Sequence, residues 1–334
     1  MDENFKVSIC MITYNHEKFI AQAIEGIMMQ QTNFHFDLII GEDCSTDNTR
    51  LICLEYQKKF PNNIKLFLPE KNLGGDLNFI QNLENCCNGY SFTAMCEGDD
   101  YWIDQNKLQL QVDFLLQNHS IGLVYTDVNI FNEETQTLEK PVPRFVLDND
   151  DVIKELIISK YIEFPSVLVR TNLLKKLIDE RFKIDFLGNI ILDTRLILEF
   201  AQHSEIGYLP IVTTVYRHVQ GSASRPKDIK KFLIASKDSY QLRKNFVLRY
   251  NYSTEILSIP VNNLNRGIIN MASIQTNFFK ALICIFNIKI KDTILYSSFA
   301  NFNKKIDLKM KLKFLLTLLG AMALKNSIRK YFFM

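Results

Sequence analysis

Residues 7–13 (VSICMIT) form a nearly continuous apolar run, the pattern of a strand buried on both faces of a parallel sheet. A polar turn, Tyr14-Asn15-His16-Glu17, follows it. Phe19, Ile20, Ala23, Ile24, Ile27 and Met28 then recur with the spacing of a helix lying on a sheet. Residues 36–40 (FDLII) predict a second strand, ending in Gly41-Glu42-Asp43-Cys44-Ser45-Thr46-Asp47. Ser45 or Thr46 is placed to cap the next helix, which carries Leu51, Ile52, Leu54 and Tyr56. A third strand is expected at 64–68, a loop at 72–75, a helix over 76–87 and a strand over 90–95. That alternation of strand and helix is the signature of a doubly wound, mostly parallel sheet.

The pattern continues with a helix over 107–118 and an alternating strand over 121–131. Residues 132–160 are polar and irregular, turning helical from about 151. A short strand at 166–170, one or two helical turns at 173–178 and a helix over 194–202 follow. An extended segment at 206–216 then ends in Arg217-His218-Val219-Gln220-Gly221. After Pro226 glycine and proline become scarce and the pattern is helical with lysine-rich faces. The expected division is therefore residues 1–226 as an α/β catalytic-type domain and 227–334 as a mostly helical, basic extension.

Charge and cysteine usage narrow the functional classes. The net charge of +2 hides a tail in which residues 289–334 hold ten Lys/Arg against two Asp, leaving the body mildly acidic. A nucleic-acid-binding protein would spread basic residues over its working face, so nucleic acid is not an expected partner. Seven cysteines without CxxC spacing, two of them adjacent at 86 and 87, read as small buried hydrophobes in a reducing compartment. The first residues lack a basic segment followed by an apolar one, and no run approaches membrane-spanning length, so a cytoplasmic location is expected.

The densest chemistry is Glu97-Gly98-Asp99-Asp100-Tyr101-Trp102, three carboxylates in four residues followed by the chain's single tryptophan. Clustered acids repel and commonly hold a cation, and the carboxyl end of a strand in an α/β sheet is where ligands bind. A solvated turn would carry the same residues. Three other polar clusters also follow apolar strands or precede a helix: Thr13-Tyr14-Asn15, Glu42-Asp43 and Asp193.

Taken in order, the segments VSICMITYN, LIIGEDCSTDNT, KNLGGDLNF, CEGDDYW and LDTR resemble the inverting family 2 glycosyltransferases of the GT-A fold. The resemblance covers about residues 5–225 and implies a Rossmann-like GT-A domain, with the C-terminal helical extension outside it. It implies nucleotide binding by Thr13, Tyr14, Glu42, Asp43 and Asp99. Tyr14 would offer a face for the base, and Glu42 stands where the family commonly has Asp. The acidic segment corresponds to the DXD-type motif, with Glu97 departing from the usual Asp. Asp99 and Asp100 would hold Mg²⁺ or Mn²⁺, His218 would join the metal, and Arg217 and His218 would reach the diphosphate. Asp193 matches the catalytic base, although an N-cap aspartate for the following helix has the same position.

The expected reaction moves a sugar from a nucleotide-diphosphate sugar, a UDP-sugar first, to a hydroxyl of a glycan or lipid-linked glycan. The alternatives are a nucleotidyltransferase that makes the sugar nucleotide and a non-catalytic sugar-nucleotide-binding module. The first would carry a glycine-rich loop after the first strand, where Tyr14-Asn15-His16-Glu17 has none. In the tail Leu312, Leu315, Leu316, Leu319 and Ala323 fall on one stripe among lysines. That pattern suits peripheral contact with an anionic membrane at its inner face, or packing on the catalytic domain.

Overall fold

The computed structural model describes residues 5–139, 152–158, 161–178, 192–220, 222 and 229–257. Residues 140–151 and 179–191 and the leucine stripe of the tail lie outside them. The chain divides into two compact units, one of residues 1–156 and 160–225 and one of residues 157–159 and 226–334.

The first unit opens with β1 (Lys6–Thr13), α1 (Ile20–Met28), β2 (His35–Glu42), α2 (Thr49–Lys59), β3 (Ile64–Phe67), α3 (Gly75–Cys86) and β4 (Phe92–Met95). β5 (Tyr101–Trp102), α4 (Lys107–Gln117), β6 (Ile121–Asn132), β7 (Thr137–Glu139) and α5 (Val152–Ile158) follow. A 3₁₀ turn (Phe164–Ser166), β8 (Leu168–Arg170), α6 (Thr171–Leu177), α7 (Leu192–His203) and β9 (Glu205–His218) complete it.

Among the described residues the nine strands form one sheet in the order β3-β2-β1-β4-β8-β6-β9-β5, with β7 on β6. β1 runs parallel to β2 and β4, and β2 parallel to β3. β8 is inserted antiparallel between β4 and β6, after which β9 again runs parallel to β6. The sheet is therefore mixed, and its antiparallel pairings come from the short strands β5, β7 and β8. Because β8 reverses direction twice over, the carboxyl ends of β1, β2, β4, β6 and β9 all point to one edge. Sequence periodicity had no hold on β5 and β7, since two or three residues are too few to show it.

The core explains the apolar runs. Val7, Ile9, Met11, Leu38 and Ile40 meet Ile20, Ala23, Ile24 and Ile27 of α1, all wholly buried. Trp102 is buried with them, and its indole nitrogen donates to the Pro165 carbonyl at 2.9 Å. Gly26 is required where α1 crosses Trp102, since a Cβ there would lie 2.7 Å from the Trp102 carbonyl oxygen. Asn82 of α3 donates to the carbonyls of Met11 and Ile39, both at 2.9 Å, pinning that helix across β1 and β2. Cys10, Cys53, Cys86, Cys87 and Cys96 are free and buried, as their reading as small hydrophobes requires.

Apart from residues 157–158, which end α5, the described elements of the second unit are α8 (Ile229–Arg249) and a 3₁₀ turn (Thr254–Leu257). There Phe246 packs on Tyr250 and Tyr252 with ring centroids 4.8 and 6.1 Å apart. No helix among the described residues is long and apolar enough to cross a membrane.

Candidate active site

The polar clusters predicted from the sequence gather at the carboxyl edge of the sheet. Thr13 ends β1 and is a junction there. Its carbonyl accepts the Asp43 amide at 3.1 Å, and its hydroxyl lies 3.2 Å from His16 Nδ1. The acidic loop leans on it. The Gly98 amide donates to the Ile12 carbonyl at 3.0 Å, and a Cβ on Gly98 would sit 2.6 Å from Thr13 Oγ1. Glycine between Glu97 and Asp99 is thus a requirement of close approach.

Tyr14 is 42% exposed beside this junction, free to offer its ring to a ligand. Asn15 takes a left-handed conformation at φ 55°. Its side-chain oxygen accepts the Thr46 amide at 2.9 Å, and its own amide donates to Ser45 Oγ at 2.9 Å. The loops after β1 and β2 are so tied together. Ser45 therefore serves a loop contact rather than a helix cap. α2 begins at Thr49, whose amide donates to Asp47 at 2.9 Å.

Glu42 is fully buried, with its carboxylate accepting the Ser45 amide at 2.7 Å and paired with Arg50. Asp43 is buried too. Its two carboxylate oxygens accept the amides of Leu73 and Gly74 at 2.7 and 3.0 Å, holding the loop before α3. Burial raises the Asp43 carboxyl above the ordinary carboxylate range against the pull of those two amides.

The acidic loop after β4 carries two carboxyls raised by burial and by neighbouring acids. Burial pushes the Glu97 carboxyl up to about 8, with the neighbouring charges of Asp99 and Asp193 adding to it. Its Oε2 is buried without a hydrogen-bond partner. Asp100 is also raised well above its usual value, first by burial and then by Asp99 and Glu97. The Arg217 amide donates to Asp100 Oδ1 at 2.7 Å. Asp99 Oδ2 stands 4.0 Å from His16 Nε2. Asp193 lies in the first turn of α7, half-buried, with the Thr194 amide donating to its Oδ1 at 2.6 Å. It combines the geometry of a helix-terminal acid with electrostatic reach to Glu97.

The residues after the extended segment separate. Arg217 is buried, and each of its three guanidinium nitrogens has a partner within the chain, in Asp99, Gln22 and Glu133. His218 is next along the same strand, so its ring leaves the opposite face. It packs edge-on to Tyr216 at 5.5 Å.

Surplus negative charge and an orphaned buried carboxylate oxygen suit a divalent cation. Among the described residues no three His, Cys, Asp or Glu side chains close into a metal-holding group. Mg²⁺ and Mn²⁺ sites of the kind built on one or two carboxylates need phosphate oxygens to complete them. The acids present fit such an ion, with Asp99 and Asp100 as the side chains to hold it.

Sequence reasoning missed His16 and Arg50. His16 touches Thr13 and faces Asp99 across 4.0 Å, and a histidine in a polar turn gives no signal of that. Arg50 is the counter-ion of Glu42, and the need for it follows from the burial of Glu42, which the sequence alone does not show.

A parallel half-sheet joined to a mixed half, with acidic loops along one edge, is the GT-A layout. Comparison with known proteins agrees. Mannosyltransferase PcManGT from Pyrobaculum calidifontis, solved with GDP-Man and Mn²⁺, superposes with a TM-score of 0.53 at 14% identity, covering 99% of this chain and 84% of that one. The sequence profile described as "Glycosyl transferase family 2" matches residues 8–164. An uncharacterised protein of Mycobacterium tuberculosis is 31% identical over 217 residues, 64% of this chain and 60% of the relative. The UDP-Glc:alpha-D-GlcNAc-diphosphoundecaprenol beta-1,3-glucosyltransferase WfgD of Escherichia coli is 32% identical over 136 residues, 40% of this chain and 49% of that protein. The chain thus spans about half to three-fifths of the length of these relatives.

Proposed function

We propose that the chain is an inverting glycosyltransferase that moves a sugar from a UDP-sugar to a hydroxyl of a growing or lipid-linked glycan. The observation that carries this reading is the gathering of the loops after β1, β2 and β4 at one sheet edge, where Thr13 joins Asp43 and Gly98 joins Ile12, with the acids Asp99 and Asp100 between them. Asp193, in the first turn of α7, is the proton acceptor in this reading. The name of the WfgD relative, with a UDP-Glc donor and a diphosphate-linked lipid acceptor, supports the choice of substrates.

In this reading Tyr14 stacks on the base, and the buried Glu42 and Asp43 fix the loops that frame it. Asp99 and Asp100 would hold a divalent ion, which when bound would supply neutralising charge for a departing nucleoside diphosphate. His218, on the face of β9 opposite Arg217, is the further candidate for that ion. Asp193 accepts the proton of the acceptor hydroxyl as its oxygen attacks the anomeric carbon opposite the diphosphate. The bond to the new oxygen forms as that to the phosphate oxygen breaks, so the anomeric configuration inverts.

The test is release of UDP from a panel of UDP-sugars, with and without Mn²⁺, by the native chain and Asp193→Asn. The variant is expected to bind donor normally and to lose transfer by about 10²–10⁴-fold, the contribution of a positioned base. Normal transfer by the variant would remove Asp193 from the mechanism. Pyrophosphate release from UTP and a sugar phosphate would make the protein a nucleotidyltransferase instead.

A further inference from the structure

Arg217 is 6% exposed at the end of β9. Its Nη1 donates to the Asp99 carbonyl at 2.6 Å, its Nη2 to the Gln22 side chain, and its Nε pairs with Glu133 at 3.0 Å. The guanidinium carbon lies 4.3 Å from the Tyr101 ring centroid and 5.1 Å from that of Phe19. One side chain therefore joins the start of α1, the acidic loop, and the turn between β6 and β7. Three of the five guanidinium N–H donors are thus engaged within the chain, in a side chain that is almost wholly buried. Its rigid planar donors do suit three fixed partners in three directions, which a lysine cannot serve.

The backbone supplies the second half of the device. The Arg217 amide holds Asp100 Oδ1, so the position of that carboxylate follows the position of the end of β9. The side chain of the same residue fixes that end against the Asp99 carbonyl. Asp99 and Asp100 are thus held by one residue from both sides, through the carbonyl of the first and the carboxylate of the second.

We propose that Arg217, braced by Glu133, is a positioning residue that sets the Asp100 carboxylate where a cation-bridged diphosphate is gripped. The proposal rests on the donor-binding reading above. It differs from a direct phosphate contact in assigning Glu133 a share of the effect, although Glu133 itself lies in the turn after β6.

The test compares the full chain with Arg217→Gln, Arg217→Lys and Glu133→Gln, using UDP and Mn²⁺ as probes in titration calorimetry. Arg217→Gln is expected to weaken Mn²⁺-dependent UDP binding about 10–100-fold, the usual loss when a partner behind a metal ligand is removed. Arg217→Lys, with one donor group in place of the fork, does not restore it. Glu133→Gln weakens it severalfold and raises the half-saturating Mn²⁺ concentration, while kcat at saturating Mn²⁺ and donor recovers. UDP binding in EDTA stays the same for all three variants.

Further weakening of the low residual UDP binding in EDTA by Arg217→Gln, with Glu133→Gln unchanged, would mean direct phosphate contact and overturn the proposal. A lower unfolding midpoint with unaltered Mn²⁺-dependent binding would reduce Arg217 to a structural role and overturn it too. Should Arg217→Gln not fold, Glu133→Gln decides alone, because it leaves the other Arg217 contacts in place. Failure of the native chain to bind any nucleotide with Mn²⁺ would sink the donor-binding reading itself, and this proposal with it.

Discussion

Lys107 is a wholly buried lysine whose behaviour tests the packing beneath the acidic loop. Its ammonium donates to the Ser166 carbonyl at 3.1 Å and to the Gln111 side chain, and lies 4.8 Å from the centre of the Trp102 ring. Burial pushes it down to about 7, against about 10.4 for a free lysine. Between these values the unfolded chain binds a proton that the folded chain does not. Stability therefore rises with pH across that window, and the cost is fully present below pH 7. From pH 7 to pH 9 the gain from this one group is about 2 kcal/mol.

Lys107→Met keeps a long unbranched stem and removes the titration. It also leaves the Gln111 side-chain oxygen short of a donor, at about 1–3 kcal/mol, while the Ser166 carbonyl keeps its bond from Gln111 Nε2 at 2.8 Å. Urea unfolding of both proteins at pH 7 and 9, followed through the single buried tryptophan, reads the difference directly. Thiols such as Cys53 and Cys87, pushed up to about 12, also alter stability in this range. They are common to both proteins and cancel in the comparison. The native chain should gain about 2 kcal/mol more than the variant over this interval. Equal pH dependence in the two would show that Lys107 does not titrate where its burial says, and the reasoning would fail.

Two further perturbations address the loops at the sheet edge. Gly98→Ala brings a Cβ to 2.6 Å from Thr13 Oγ1 and 3.1 Å from His16 Nδ1. It should cost about 1–3 kcal/mol in urea unfolding, and an unchanged midpoint would show that the loop is looser than its contacts imply. Arg50→Met leaves the buried Glu42 carboxylate without its cation and should cost about 3–5 kcal/mol. Adding Glu42→Gln should recover much of that loss, whereas additive losses would show that the two residues are not coupled.

The apolar runs of β1, β2 and the strand before the acidic loop were legible because buried parallel strands leave a continuous hydrophobic record. The same clarity marks α1, whose inward positions recur at Ile20, Ala23, Ile24 and Ile27. β5 and β7 were not legible, because their pairing is decided by partners far away in sequence. The candidate site was legible as residue types in order: Thr13, Tyr14, Glu42, Asp43, Asp99, Asp100 and Asp193. What they touch was not. Nothing local reveals that Glu42 is closed off by Arg50, or that the Arg217 side chain reaches the carbonyl of Asp99 rather than open space. Such facts depend on chain reversals that only the sheet topology supplies.

The central claim is that the acids at one sheet edge grip a nucleoside diphosphate through a divalent ion. Thermal unfolding of the native chain and Asp100→Asn with UDP, in the presence of Mn²⁺ or EDTA, tests it most directly. Ligand at about a hundred times its dissociation constant adds about 2.7 kcal/mol, which for a domain of this size raises the midpoint by roughly 5–10 °C. The account predicts that rise for the native chain with Mn²⁺, little in EDTA, and little for Asp100→Asn in either condition. An equal rise in all four combinations, or none in any, would contradict it.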